Sequence, residues 1–180
     1  LEGGLTARQR QYIQDVKFST ENLLVIVNDV LDLSKMEAGK MELCPVDHDF
    51  RQFLANVASL AERLAEEKGL RFHLTVEGGS QACLYGDDVR LRQILVNLLG
   101  NAVKFTHRGS VALEVRVEEK TLRFAVADTG IGIQANQLQS LFEVFEQADA
   151  SANRLIRGTG LGLPICRHLA GLMGGEIAVE

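Results

Sequence analysis

The sequence predicts an α+β fold led by one long helix. Three observations predict it. Residues 6–40 carry apolar side chains three and four apart without a break, the spacing of a helix that packs along its length. Beyond residue 41 the pattern switches repeatedly between helical spacing (50–65, 91–102) and strict alternation (70–76, 111–117, 122–126), so helices and strands are mixed in one globular part. Two Gly-rich runs, 128–133 and 158–164, punctuate the last third, the first after an alternating strand and the second before an apolar helix.

Composition sets the limits. The chain has 180 residues, enough for one ordinary domain and a smaller appendage. Hydrophobic residues make up 46% and charged residues 24%, which supports a packed core and argues against disorder. The net charge of −5, with no basic block, gives no electrostatic support to a nucleic-acid role. No apolar run approaches about 18 residues, so no segment is expected to span or contact a membrane directly. No signal peptide is seen, and the opening Leu1-Glu-Gly-Gly reads as a cut end. Cys44, Cys83 and Cys166 are odd in number, far apart and without a Cys-x-x-Cys pair. They predict small buried apolar residues and a reducing, cytoplasmic setting in place of a disulfide framework or zinc site.

In the long helix Thr6 is placed as N-cap, with Gln9 as its capping-box partner. Ile13, Val16, Thr20, Leu23, Val27, Val30 and Ser34 form the seam, widened by Tyr12, Leu24, Ile26, Leu31 and Leu33, and Gly39 stands at the C-terminal cap. A face this broad fits a helix docked on its own domain or half of a dimerising helical hairpin. The unbroken length favours the hairpin.

After Pro45, Asp47 or Asp49 caps a helix with Phe50, Phe53, Leu54, Val57, Leu60, Ala61, Leu64 and Ala65 on its apolar face, ended by Gly69. A strand over 70–76, a turn over 77–80 and a short strand over 82–85 follow. Asp87 or Asp88 then caps a helix running to Thr106, with Leu91, Ile94, Leu95, Leu98, Leu99 and Ala102 facing inward. Asn97 and Asn101 are four apart and project from one face, with Lys104 close by. Two amides and an ammonium suit a phosphate chain with its magnesium, since an amide oxygen is a hard ligand. Spacing alone leaves solvated helix polarity equally open.

Strands over 111–117 and 122–126 form a hairpin through 118–120 and deliver Asp128. A carboxylate at a strand end can accept a hydrogen bond from a base edge, and Gly130 and Gly132 let the backbone turn beside a flat ligand. By itself Asp-x-Gly-x-Gly reads first as a plain turn, since strand-end turns often carry Asp and Gly. Leu138, Leu141, Phe142, Val144 and Phe145 form a short apolar segment, and the polar stretch 146–157 is long enough for a lid. Gly158-Thr-Gly-Leu-Gly-Leu-Pro164 leads into a helix whose N-terminal N–H groups offer an anion site. Pro164 sets the helix start near Leu161. The order of residues is neither a Walker P-loop nor a Rossmann fingerprint. Leu169, Ala170 and Met173 continue the helix, Gly174-Gly175 ends it, and 176–180 is expected to begin a last strand that stops as if trimmed.

Asn28-Asp-Val-Leu-Asp-Leu-Ser-Lys-Met-Glu-Ala-Gly-Lys40 resembles the end of the second helix in the dimerisation and phosphoacceptor domain of sensor histidine kinases, and Leu5-Thr-Ala-Arg-Gln-Arg-Gln-Tyr12 its beginning. The family's preceding helix carries a histidine followed by an acidic residue. None of His48, His73, His107 and His168 has that context, so the phosphoacceptor is absent from this sequence. Asn97-Leu-Leu-Gly-Asn101 with Ala102 and Lys104 resembles the N box of the catalytic ATP-binding domain. Asp128-Thr-Gly-Ile-Gly132 and Gly158-Thr-Gly-Leu-Gly162 resemble its two glycine boxes, and Leu141-Phe-Glu-Val-Phe145 its F box. The four stand in the family order. They place the chain in the superfamily shared with DNA gyrase, MutL and heat-shock chaperone ATPases.

The resemblance implies a two-layer α/β sandwich, a mixed sheet covered on one face by helices, over residues 44–180, with residues 1–43 a partial dimerisation helix. It implies ATP and Mg²⁺ as ligands. Asp128 would bind the adenine amino group, with Gly130 and Gly132 in the turn, and Asn101 would be the main Mg²⁺ ligand. Asn97 and Lys104 would be the catalytic side chains near the phosphates. Gly158, Gly160 and Gly162, with Thr159 and Leu161 between them, would free backbone donors for the phosphates. Phe142 and Phe145 would anchor the lid, and Arg154 would meet the nucleotide from it. The implied partners are a response-regulator receiver domain and, in the full-length protein, a second copy through the helical bundle, with part of the 13–30 stripe left exposed when one hairpin helix is missing. Arg157 departs from the family's usual glycine and implies a stiffer or differently closing lid.

One position separates chemistries. Where Asn97 stands, the gyrase and chaperone ATPases have a glutamate that activates water, and an amide cannot act as a general base. Asn97 therefore implies transfer of the γ-phosphate to a histidine over hydrolysis. The alternative is a non-catalytic module that binds nucleotide or dimerises and so regulates a partner kinase.

Overall fold

A computed structural model describes residues 5–78, 83–118, 121–138, 140–143 and 160–179, apart from the side chains of residues 18 and 22. The chain divides into two compact units, Leu1–Met41 and Glu42–Glu180.

The first unit is one helix, α1 (Ala7–Glu37). Its start is the expected capping box: Thr6 Oγ1 accepts from the Gln9 N–H at 3.3 Å, and Gln9 Oε1 accepts from the Thr6 N–H at 2.9 Å. It ends before Lys40, at the Ala38 cap, because Gly39 turns left-handed at φ 61°. Gly39 N–H then reaches Met36 O at 3.0 Å and Lys40 N–H reaches Lys35 O at 2.9 Å, the double bond of a Schellman motif. Ile13, Val16, Leu23, Val27 and Val30 are exposed along its length.

The second unit begins with β1 (Val46–Asp49) and α2 (Phe50–Glu67), continues through β2 (Arg71–Gly78), β3 (Cys83–Gly86) and α3 (Asp88–Phe105), and ends with β4 (Ser110–Val117), β5 (Leu122–Asp128) and α4 (Gly162–Leu172). Asp49 caps α2 and Asp87 caps α3, each accepting from the backbone N–H three residues on. β2, β4 and β5 make a mixed sheet: β2 is parallel to β4 and β4 antiparallel to β5, with Leu74, Leu113 and Val126 in one row. The parallel pair needs a crossover, and α3 lies within it. One face of the sheet carries Phe72, Val111, Leu113, Val115, Phe124 and Val126 into a core with Phe50, Val57, Leu95 and Leu99. The other face, with His73, Glu114, Arg116 and Arg123, is exposed. This is the expected two-layer sandwich, and each core leucine contributes about 1.5–3 kcal/mol by leaving water.

Several expectations are corrected. β1 has a single aliphatic residue and no apolar alternation; it forms because its backbone pairs antiparallel with β3, from Val46↔Gly86 to Asp49↔Cys83. β2 runs through Glu77 and Gly78, where a turn was expected, because its ladder continues to Gly78↔Val117. Residues 176–179 form no strand, having no ladder partner among the described residues. Only Cys166 is buried. Cys44 and Cys83 are exposed, Cys83 on the same exposed side of β3 as Tyr85.

Candidate functional site

The site is assembled on α3. Ile94, Leu95, Leu99, Ala102 and Val103 are buried, which sets the rotation of the helix and leaves Asn97, Asn101 and Lys104 half-buried beside the core stripe. Asn101 Nδ2 donates to Asn97 Oδ1 at 3.3 Å, so the two amides adjoin as their spacing predicts. Asn101 Oδ1 has no hydrogen bond among the described residues and keeps its acceptor capacity.

The N-terminus of α4 closes onto this pair. A Cβ on Gly162 would run into the Asn97 amide. Glycine here lets that amide stand directly against the start of α4, and any larger residue would push it aside. Gly160 is different: it turns left-handed at φ 70° to lead the chain into the helix. Leu161 occupies the N-cap position with a buried apolar side chain in place of a capping oxygen. Pro164 falls in the first turn, as expected. On the flank of α4, the Arg167 guanidinium stands 5.3 Å from the centre of the Phe142 ring.

The C-terminal end of α3 meets the β5 turn. Asp128 Oδ1 accepts from the Gly130 N–H at 2.8 Å and lies 3.5 Å from the Oγ1 of Thr106, a fully buried hydroxyl that donates to Ala102 O at 2.7 Å. Asp128 Oδ2 has no hydrogen bond among the described residues, so one carboxylate oxygen is held by the protein and the other remains an acceptor. A Cβ on Gly130 would sit 2.6 Å from Phe105 O and 2.7 Å from Asp128 Oδ1, so this glycine also answers to close approach. Gly132, at φ 69° with open space around it, answers to conformation. Thr129 ties the turn down from the other side, accepting from Ser110 N–H at 3.0 Å through Oγ1 and donating its own N–H to Ser110 O at 3.1 Å.

Lys104 is half-buried with its ammonium 5.0 Å from the centre of the Phe105 ring. Burial, and then the Lys68 ammonium, hold its pKa below the ordinary lysine value. Lys68, from the C-terminal cap of α2, donates to Val103 O at 2.8 Å and Lys104 O at 2.7 Å.

The structure thus brings Asn97, Asn101 and Gly162 together at one end, and Asp128 and Gly130 together with Thr106 at the other. Between Asn97 and Thr106 run about 13 Å of helix. Phe145, Arg154, Gly158 and Thr159, with the expected lid over 146–157, lie outside the described residues. Thr106, Thr129, Lys68 and Arg167 were not singled out by the sequence reading. The bonds that tie Thr106 to Asp128, Thr129 to Ser110 and Lys68 to Thr106 span 22, 19 and 38 positions, beyond the reach of helix or strand periodicity.

Residues 86–180 match the family described as histidine kinase-, DNA gyrase B-, and HSP90-like ATPase. The chain is similar to the sensor protein GacS of Pseudomonas syringae pv. syringae, at 41% identity over 98% of this chain and 20% of the relative. It is similar at 40% identity to the signal transduction histidine-protein kinase BarA of Escherichia coli K12, over 99% of this chain and 20% of that protein. Among solved structures, full-length ShkA in complex with AMPPNP superposes with a TM-score of 0.77 at 39% identity, covering 96% of this chain and 35% of ShkA. The chain spans about a fifth of the length of the curated relatives it matches. No helix among the described residues is long and apolar enough to cross a membrane. With the fold, the ordered boxes and these likenesses together, the chain belongs to the family of histidine kinase-, DNA gyrase B- and HSP90-like ATPases and carries the catalytic domain of a sensor histidine kinase.

Proposed function

We propose that this domain binds ATP with Mg²⁺ and presents the γ-phosphate to a histidine supplied by another helix, for relay to a response-regulator receiver domain. The observation that carries the reading is the Asn97–Asn101 amide pair seated against the first residue of α4, with the Asp128 turn at the far end of the same helix. An elongated ligand with a base at one end and an anionic tail at the other fits that separation. Asp128 Oδ2 is an acceptor for an exocyclic amino group, and the bare Cα of Gly130 leaves room beside it. Asn101 Oδ1 offers the hard oxygen that magnesium accepts. Asn97, Lys104 and the 158–162 backbone would receive the phosphates.

Bound magnesium would neutralise charge on the transferring phosphoryl group. The chain's own residues do the rest by holding: Asp128 orients the base, Asn101 the metal, and Asn97 the start of α4. Asn97 cannot take a proton from water, which favours transfer to a nucleophile over hydrolysis. Phe142, Phe145 and Arg154 are assigned to the lid. On this reading residues 1–43 are the second helix of a dimerisation domain, residues 44–180 the catalytic domain, the full-length protein pairs through the helical bundle, and the domain works in the cytoplasm.

Calorimetric titration with a non-hydrolysable ATP analogue and Mg²⁺ tests the reading, using wild type and Asp128→Asn. Micromolar, Mg²⁺-dependent binding that the substitution weakens by roughly a hundredfold is expected, because the replaced oxygen would turn a donor toward the base. Absence of binding by wild type overturns the proposal in favour of a module that regulates a partner kinase without nucleotide.

A further inference from the structure

Every helix must dispose of its last four carbonyl groups. Three of the helices do so with a glycine just past the cap: Gly39, Gly69 and Gly174 have φ of 61°, 68° and 77° and close Schellman motifs after α1, α2 and α4. α3 has no such glycine. Its cap, Thr106, is extended, and its carbonyls are taken by the cap itself and by groups from α2 and the Asp128 turn. Ala102 O accepts from the Thr106 N–H and hydroxyl at 3.1 and 2.7 Å. Phe105 O accepts from the Ile131 N–H at 3.4 Å, in the Asp128 turn. Val103 O and Lys104 O both accept from the Lys68 ammonium, at 2.8 and 2.7 Å, with Thr106 O at 3.4 Å.

We infer that Lys68 is a positioning residue of the nucleotide site: by clamping the last turn of α3 from the end of α2, it sets where Lys104 and the Thr106–Asp128 pair stand. The inference rests on the nucleotide reading above. Lys68 suits the task for two reasons. It is the C-cap of α2, so the bonds from Gly69 N–H to Glu66 O and from Leu70 N–H to Ala65 O hold its backbone in place. Its charge lies at the negative end of the α3 dipole, where charge-assisted bonds to carbonyls are strong. The carbonyls it holds belong to Lys104 itself and to the residues on either side of the Lys104–Phe105 pair. A change at Lys68 therefore moves the site without any contact between Lys68 and ligand being required.

The test is titration of wild type, Lys68→Met and Lys68→Arg with a non-hydrolysable ATP analogue and Mg²⁺, each well below its own melting temperature. Lys68→Met is expected to weaken binding roughly tenfold, the loss of one charge-assisted clamp. Lys68→Arg, which keeps charge and donors, is expected to return affinity to within about threefold of wild type. If Lys68→Met does not fold, Lys68→Gln, which keeps a donor without charge, takes its place with the same expectation. Unchanged affinity in Lys68→Met or Lys68→Gln overturns the inference, even where the melting temperature falls, because Lys68 would then be a cap and nothing more. Failure of Lys68→Arg to rescue also overturns it. Wild type that does not bind removes the nucleotide reading and this inference with it, an outcome distinct from wild type and Lys68→Met binding equally well.

Discussion

Lys104 gives up its proton below the ordinary lysine value. Burial disfavours its charge first, and the neighbouring Lys68 ammonium adds to the effect. The sign of the consequence follows from proton counting. Below its lowered pKa, Lys104 is charged in both folded and unfolded chains, so folding bears the full cost of placing that charge. As pH rises through the folded value toward the ordinary 10.5, the folded chain releases its proton before the unfolded chain does, and the cost is relieved. Lys104→Met removes the group, so its stability advantage over wild type is expected to be largest near neutral pH and to shrink as pH approaches 10.5. The effect is small, because the ammonium is only half-buried and solvent screens it. Urea midpoints of both proteins across this pH range check it; a difference that does not vary with pH would show that Lys104 meets the same environment folded and unfolded. Residue spacing pointed to Asn97, Asn101 and Lys104, since helical neighbours are readable from a period of three to four. It could not point to Thr106 or Lys68, which matter through partners 22 to 38 positions distant.

At the scale of elements, ends were more legible than edges. Thr6 with Gln9, Asp49 and Asp87 were readable as caps because each acts on a backbone N–H three residues away, a local interaction written locally. Gly39, Gly69 and Gly174 were readable for the same reason. β1 was not: Val46-Asp-His-Asp acquires strand geometry only through pairing with β3, some forty residues on. The glycine caps make a clean prediction because nothing crowds them. A Cβ on Gly69 would meet no atom within 4 Å, yet its φ of 68° lies where L side chains are strained. Gly69→Ala is expected to cost about 1 kcal/mol from backbone strain alone. It is also expected to lower analogue affinity, because Gly69 holds the cap residue Lys68 that clamps α3. Denaturant unfolding gives the first number and calorimetry the second; a loss of stability with affinity intact would separate the α2 cap from the site.

For the molecule as a whole, the sandwich was legible from alternation in β4 and β5 and from the apolar stripes of α2 and α3, which left one layer of helices to cover one sheet face. The strand expected over 176–180 was not formed over 176–179, because an alternating pattern becomes a strand only when a neighbour supplies the ladder. α1 leaves a long apolar stripe exposed. Val16 is 65% exposed and Leu23 59%, with Ile13, Val27 and Val30 beside them in the same stripe. A continuous apolar stripe on a 31-residue helix exceeds the scattered exposure that a monomer's surface carries, and each covered leucine or valine is worth about 1.5–3 kcal/mol. Self-association through α1 is therefore expected, seen in sedimentation velocity as a concentration-dependent shift toward a larger species. The paired substitutions Val16→Glu and Leu23→Glu place charges in the seam and are expected to return the protein to a monomer. Every residue assigned to the nucleotide belongs to Glu42–Glu180, so the same variant is expected to bind the ATP analogue as wild type does. A variant that remains associated would move the contact off the α1 stripe, whereas one that turns monomeric and loses affinity would make nucleotide binding depend on the pairing of two chains.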